Sequence, residues 1–161
     1  MVETETETES VATQRDRWFV GSLVRILADA GETDGRLGVF EQRARRGFSP
    51  PMHVHGREDT ALYVIDGAIT LVVGDDRRTA GTGDLVWLPR DVAHTFRVDS
   101  EEARLLEIIT PGGFEAYHVD ASDPAPRWEL PPEAEPDIGR LVAAIGPYGA
   151  ELVGPPLGEG E

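Results

Sequence analysis

The sequence predicts an all-β domain, a sandwich or barrel of short strands, followed by one C-terminal amphipathic helix. Two observations carry that expectation. Between Trp18 and Thr110, β-type runs recur at intervals of roughly 8 to 12 residues, separated by Gly-, Pro- and Asp-rich turns. Only near the C-terminus, over residues 136–145, does the apolar spacing change to the i, i+3, i+4, i+7 pattern of a helix.

Taken in order, residues 1–14 hold a Glu-Thr repeat with no apolar periodicity to bury, and read as a disordered acidic tail. Residues 15–119 form the β-domain. Its runs cover residues 23–28, 36–44, 60–65, 68–73, 77–80, 85–88, 94–98 and 103–110. Asp66-Gly67 is a tight-turn pair between two of them, and Gly74-Asp75-Asp76 and Gly81-Thr82-Gly83 close others. Residues 120–161 are a Pro-rich linker, a short helix and a C-terminal arm. In the helix Ile138, Leu141, Val142 and Ile145 share one face, Pro136 suits the first turn and Gly146-Pro147 stops it. Such a helix docks on the outside of the β-domain or across a dimer partner, with residues 152–156 extended behind it.

Composition removes several chemistries. All 15 basic residues of the 161 are Arg, and Lys, Cys and Asn are absent. Schiff-base lysines, thiol nucleophiles, disulfides and Cys-based zinc sites are therefore excluded. The net charge of −15 disfavours nucleic acid and anionic membrane surfaces as partners. The charge is concentrated at the ends: residues 13–119 hold 17 acids against 13 Arg. No run approaches the roughly 18 apolar residues of a membrane span, and the first ten residues have no basic or apolar region of a signal peptide. A cytoplasmic protein with a small-molecule substrate is the resulting expectation.

Histidine occurs only four times. His53 and His55, two apart on an extended run, point to the same face of a strand. His94 begins a later run in which Phe96 shares its face, and Phe96 is the aromatic side chain expected in the pocket. An antiparallel sheet that brings the two runs together creates a three-imidazole site for one divalent transition metal, Fe, Mn, Ni, Co or Zn. His118 lies beyond the last core run and reads as a surface or linker histidine; Arg43, Arg45 and Arg46 read as a solvated basic face.

These residues resemble the two motifs of the cupin superfamily, G-x5-H-x-H-x(3,4)-E-x6-G and G-x5-P-x-G-x2-H-x3-N. Gly47, His53, His55 and Gly67 match the first at correct spacing, and Gly83, Pro89 and His94 match the second. The stretch from Gly56 to Gly67 and the later Pro111-Gly112-Gly113-Phe114 are similar to single-domain bacterial cupins described as quercetin-dioxygenase-like. The resemblance implies a double-stranded β-helix (jelly-roll barrel), a metal held by His53, His55 and His94, and a homodimer. Asp91 replaces a turn glycine and Val98 the terminal Asn, both without consequence for a metal.

Thr60 stands where the family carries a Glu ligand. Three neutral imidazoles leave a divalent ion with more positive charge and a further open position, which Thr60 can supply with a held water. Asp59 is the alternative fourth ligand at the shorter motif spacing, although strand parity set by Gly67 favours Thr60 in the inward slot. Glu58 and Glu107 are the candidate catalytic acids or bases. The family's dioxygenase chemistry on enolisable or phenolic molecules is one implied activity. Non-oxidative, metal-dependent cyclisation or isomerisation of polyketide-type substrates, and non-catalytic binding of a small molecule, remain the alternatives.

Overall fold

The computed structural model describes residues 15–160; the acidic repeat expected to form a tail lies outside the described residues. The described residues form twelve strands: β1 (Asp16–Phe19), β2 (Ser22–Ala28), β3 (Gly38–Arg45), β4 (Met52–His55), β5 (Asp59–Asp66), β6 (Ala68–Val73), β7 (Asp76–Gly81), β8 (Leu85–Leu88), β9 (His94–Val98), β10 (Glu102–Thr110), β11 (Asp123–Pro124) and β12 (Ala150–Gly154). Helix α1 (Glu115–Asp120) follows β10, and α2 (Ile138–Ile145) precedes a 3-10 turn at Gly146–Tyr148. The strands make two antiparallel sheets, in the orders β11-β1-β2-β3-β10-β5-β8 and β12-β4-β9-β6-β7.

Alternation sets which face each strand buries. In β5, Thr60, Leu62 and Val64 point inward while Tyr63 is exposed, so the parity argued from Gly67 holds through the strand. One apolar cluster joins Leu62, Val64, Ile69, Leu71 and Leu105 between the sheets. A second joins Phe19, Val24, Phe40 and Ile109 to Phe114 and Tyr117 of the α1 region and to Leu141 and Ile145 of α2. The motif turn at Gly67 has φ 109°, and a Cβ there would lie 2.7 Å from Ser100 Oγ and 2.8 Å from the Glu102 carbonyl, so only glycine fits. Asp91, in place of the second motif's turn glycine, adopts the left-handed conformation itself (φ 65°).

Three features differ from the sequence reading. The C-terminal helix begins at Ile138 rather than Pro136, because the Asp137 side chain accepts the Arg140 backbone N–H and caps it. A helix forms at residues 115–120, where a linker was expected. Its buried Glu115 carboxylate accepts the backbone N–H groups of Ala30 (2.8 Å) and Gly113 (2.6 Å), and Arg17 donates to the carbonyls of Val119 and Ser122 at 3.0 Å each. The extended C-terminal arm is also part of a sheet: β12 pairs with β4, setting Leu152 opposite His53 and Ala150 opposite His55. No helix among the described residues is long and apolar enough to cross a membrane.

Candidate metal centre

His53 and His55 project from β4, and His94 begins β9 directly opposite His53 in the register. The antiparallel pairing of two short strands therefore converts two distant sequence positions into neighbours. Ring centres are 4.4 Å apart for His53 and His94, 5.1 Å for His53 and His55, and 5.2 Å for His55 and His94. One ligand nitrogen from each lies within 4.8 Å of the others, the one such cluster of three ligating side chains found among the described residues.

The outer nitrogen of every ring is engaged. His53 Nδ1 lies 2.7 Å from the Pro51 carbonyl, His94 Nδ1 3.2 Å from the Val92 carbonyl, and His55 Nδ1 2.7 Å from the Glu58 carboxylate. An acceptor at Nδ1 fixes the proton there and leaves the Nε2 lone pair for a metal. Burial, together with the neighbouring imidazoles, holds His53 well below its ordinary pKa. Burial and His55 push His94 down to about 4. Both rings are thus neutral ligands at neutral pH, and the three-histidine cluster is capable of coordinating a divalent metal ion.

The acidic candidates separate clearly. Glu58 is buried behind His55, with its carboxylate turned to that ring's outer nitrogen rather than to the cavity. It orients the His55 ring and does not line the cavity. Asp59 is turned to Arg90, accepting from its backbone N–H at 2.8 Å and from Nη2 at 3.0 Å, and the guanidinium holds its pKa down. Thr60, 4% exposed, takes the inward slot and lines the cavity. Glu107 also lines it, on the inward face of β10 between Leu105 and Ile109 and with no hydrogen-bond partner among the described residues. Burial pushes its carboxyl up to about 8, so it carries a proton at neutral pH.

The cavity has a volume of about 410 Å³ and runs between the two sheets to the C-terminal arm. Phe96 lines the metal end, as its shared face with His94 predicts. Leu141 and Ile145 of α2 and Leu152 of β12 close part of the wall, so the helix docks over the cavity rather than on a remote outer face. Arg45 and Arg46 also reach it, whereas Arg43 pairs with Glu102 at 2.6 Å and sits over Trp128. The sequence reading of His118 as a surface or linker residue is corrected: it is 7% exposed, packed among aromatic rings at tilted and edge-on angles, and lines the cavity. A signal for this existed. Phe114, Tyr117, His118 and Ala121 follow helical spacing and are all buried, a periodicity too short to stand out beside the Pro-Gly-Gly that precedes it.

Comparison with known proteins places this geometry. The family profile for the cupin domain matches residues 40–109, the span that holds all three histidines, Thr60 and Glu107. The chain is 27% identical over 110 residues to quercetin 2,3-dioxygenase of Bacillus subtilis, covering 68% of this chain but only a third of that protein's length. It is 34% identical over 95 residues to protein SchB of Streptomyces halstedii, covering 56% of this chain and 67% of SchB. Among solved structures it is similar to KdgF from Halomonas sp., at 21% identity and TM-score 0.55, over 60% of this chain and 84% of that one; this likeness is one of fold. With the motif strands paired in two sheets and three histidines converging from them, the chain has a cupin fold and is related to the cupin, oxalate-decarboxylase and quercetin-dioxygenase group.

Proposed function

We propose that the protein is a metal-dependent, dioxygenase-like enzyme acting on a small enolisable or phenolic molecule. The observation that carries this reading is the convergence of three imidazoles, each tied back through Nδ1, at an apolar cavity that also holds an unpartnered carboxyl group. His53, His55 and His94 would hold the ion. A divalent metal there supplies Lewis acidity toward a substrate oxygen and, where redox-active, electrons for dioxygen chemistry.

The protein groups divide the remaining work. Glu58 keeps His55 in the ligating tautomer. Glu107, protonated at neutral pH with its pKa near 8, can give its proton to one atom of the substrate and recover one from a hydroxyl or α-carbon of the same molecule. Thr60, in the slot where the family motif carries a carboxylate, contributes a neutral hydroxyl and leaves proton transfer to Glu107. Apolar walls such as Phe96 and Leu88 exclude bulk water from the reacting centre.

The same proton-transfer group favours a second reading, non-oxidative cyclisation or isomerisation. Metal content of the full chain purified without added metal, against His53→Ala and His94→Ala, tests the ion. About one equivalent in the parent, lost in both variants, is expected; a metal-free parent that gains none on reconstitution overturns the reading. Oxygen uptake with a flavonol, compared with turnover under anaerobic conditions, separates the chemistries. Substrate loss that requires dioxygen supports the dioxygenase, and unchanged anaerobic turnover supports the isomerase.

A homodimer belongs to the same proposal. Trp87 (51% exposed) and Leu85 (62%) on edge strand β8, with Tyr63 beside them on β5, form an apolar row on the outer face. Trp87→Glu is expected to shift the mass in solution from dimer to monomer.

A further inference from the structure

The cavity contains a polar side chain that metal chemistry does not use. His118 projects from α1 into a cage of aromatic rings, with centroids 4.2 Å from Phe40, 4.7 Å from Phe19 and 5.5 Å from Phe114. Its buried Nδ1 faces the Phe114 and Glu115 carbonyls of its own helix without a hydrogen bond of good geometry to either, and no described side chain bonds to its ring. A buried polar group left unpaired costs about 1–3 kcal/mol relative to an apolar group of the same shape. Phenylalanine would pack in this cage without that cost, so the imidazole is out of place unless something else in the cavity completes it.

The cavity can supply that partner, because His118 lines it together with the three metal-site histidines. Phe114 stands edge-on both to His55 (4.2 Å) and to His118 (5.5 Å). The two imidazoles are therefore no further apart than the sum of those distances, a span matched by one fused-ring molecule. The walls around His118 are flat aromatic surfaces, suited to stacking on a planar ligand. Burial, with His55 adding to it, pushes the His118 pKa down to about 3. The ring is therefore neutral and carries one N–H donor and one lone pair, so it can meet either a hydroxyl or a carbonyl oxygen.

Resting on the metal-dependent reading above, we propose that His118 is a substrate-binding residue that hydrogen-bonds an oxygen of a planar, polyhydroxylated aromatic molecule while another oxygen of that molecule faces His53, His55 and His94. His118 selects for oxygen on the substrate's far ring, and the aromatic cage selects for flatness.

Calorimetric titration of the full chain with quercetin and with flavone, the same ring system without hydroxyls, tests this. Each is measured on zinc-loaded protein, which does not turn over by redox chemistry, and on chelator-stripped protein. His118→Phe is expected to weaken quercetin binding about tenfold in both forms, with flavone affinity and zinc content unchanged. The same variant should raise Tm by about 2–4 °C, since it removes an unpaired buried group. His118→Gln, which restores a donor and an acceptor, should recover most of the lost affinity. Unchanged quercetin affinity in His118→Phe, an equal loss for quercetin and flavone, or no quercetin binding by the parent overturns the proposal. A parent that binds no zinc yet loses quercetin on His118→Phe would remove the metal reading and leave the role of His118 standing.

Discussion

Glu58 and Glu107 carry the same functional group to opposite tasks, and their surroundings decide which. Glu58 spends its carboxylate on His55 Nδ1 at 2.7 Å, so its removal frees that imidazole to rotate and to change tautomer. Glu58→Ala is expected to lower metal affinity about 10- to 100-fold with the fold intact, measured by competition with a chromophoric chelator. Glu107 has no such partner and sits protonated in the cavity. Its folded pKa of about 8 lies above the ordinary carboxyl value. Metal-free protein therefore holds a proton that the unfolded chain releases, and stability falls as pH rises from about 4.5 to about 8. Glu107→Gln removes this slope, and its Tm at pH 8 should exceed that of the parent by a few degrees, corresponding to about 1–3 kcal/mol. The inward direction of Glu107 follows from its alternation with Leu105 and Ile109, both readable in sequence. Its lack of a partner is not readable, because that depends on what faces β10 across the cavity.

At the level of elements, α1 is held by buried polar contacts more than by its own length. Six residues make too short a helix to persist alone. Glu115, 2% exposed, accepts two backbone N–H groups from segments on either side, and its carboxylate lies so close to Gly38 that a Cβ there would be 2.1 Å from Oε1. Glu115→Ala should cost about 2–4 kcal/mol in urea unfolding, since both N–H groups lose a charged acceptor. It should also loosen the His118 cage while leaving the metal strands β4 and β9 paired. Strands β2, β3 and β5 to β10 were legible because β-type runs and Gly or Asp turns mark them locally, and β4 only through the two-residue spacing of His53 and His55. Helix α1 and the short strands β1 and β11 were not, since each is stabilised by partners far away in sequence: Arg17 on Ser122, and Trp18 opposite Asp123.

Across the whole molecule, buried groups set opposite limbs of the pH profile of metal-free protein, with His53, His94 and His118 all contributing to the acid limb and Glu107 to the alkaline one. His118, with a folded pKa of about 3, stays neutral while the unfolded chain gains a proton below about 6.5. Stability is therefore lost as pH falls through that window, while Glu107 weakens the fold as pH rises toward 8. Thermal unfolding of chelator-stripped protein should show its highest Tm between these limits, with a shallower acid limb in His118→Phe and a shallower alkaline limb in Glu107→Gln. Because alternation, turn glycines and motif spacing act over a few residues, the β-architecture, the motif places of His53, His55 and His94, the inward place of Thr60 and the mildly acidic charge of the motif-bearing core are all readable along the chain. Only the tertiary structure decided that Glu58 serves His55, that α2 and β12 wall the cavity, and that His118 enters it. Those outcomes arise from contacts between segments tens of residues apart, whose pairing is fixed by the packing of the sheets and not by any local pattern.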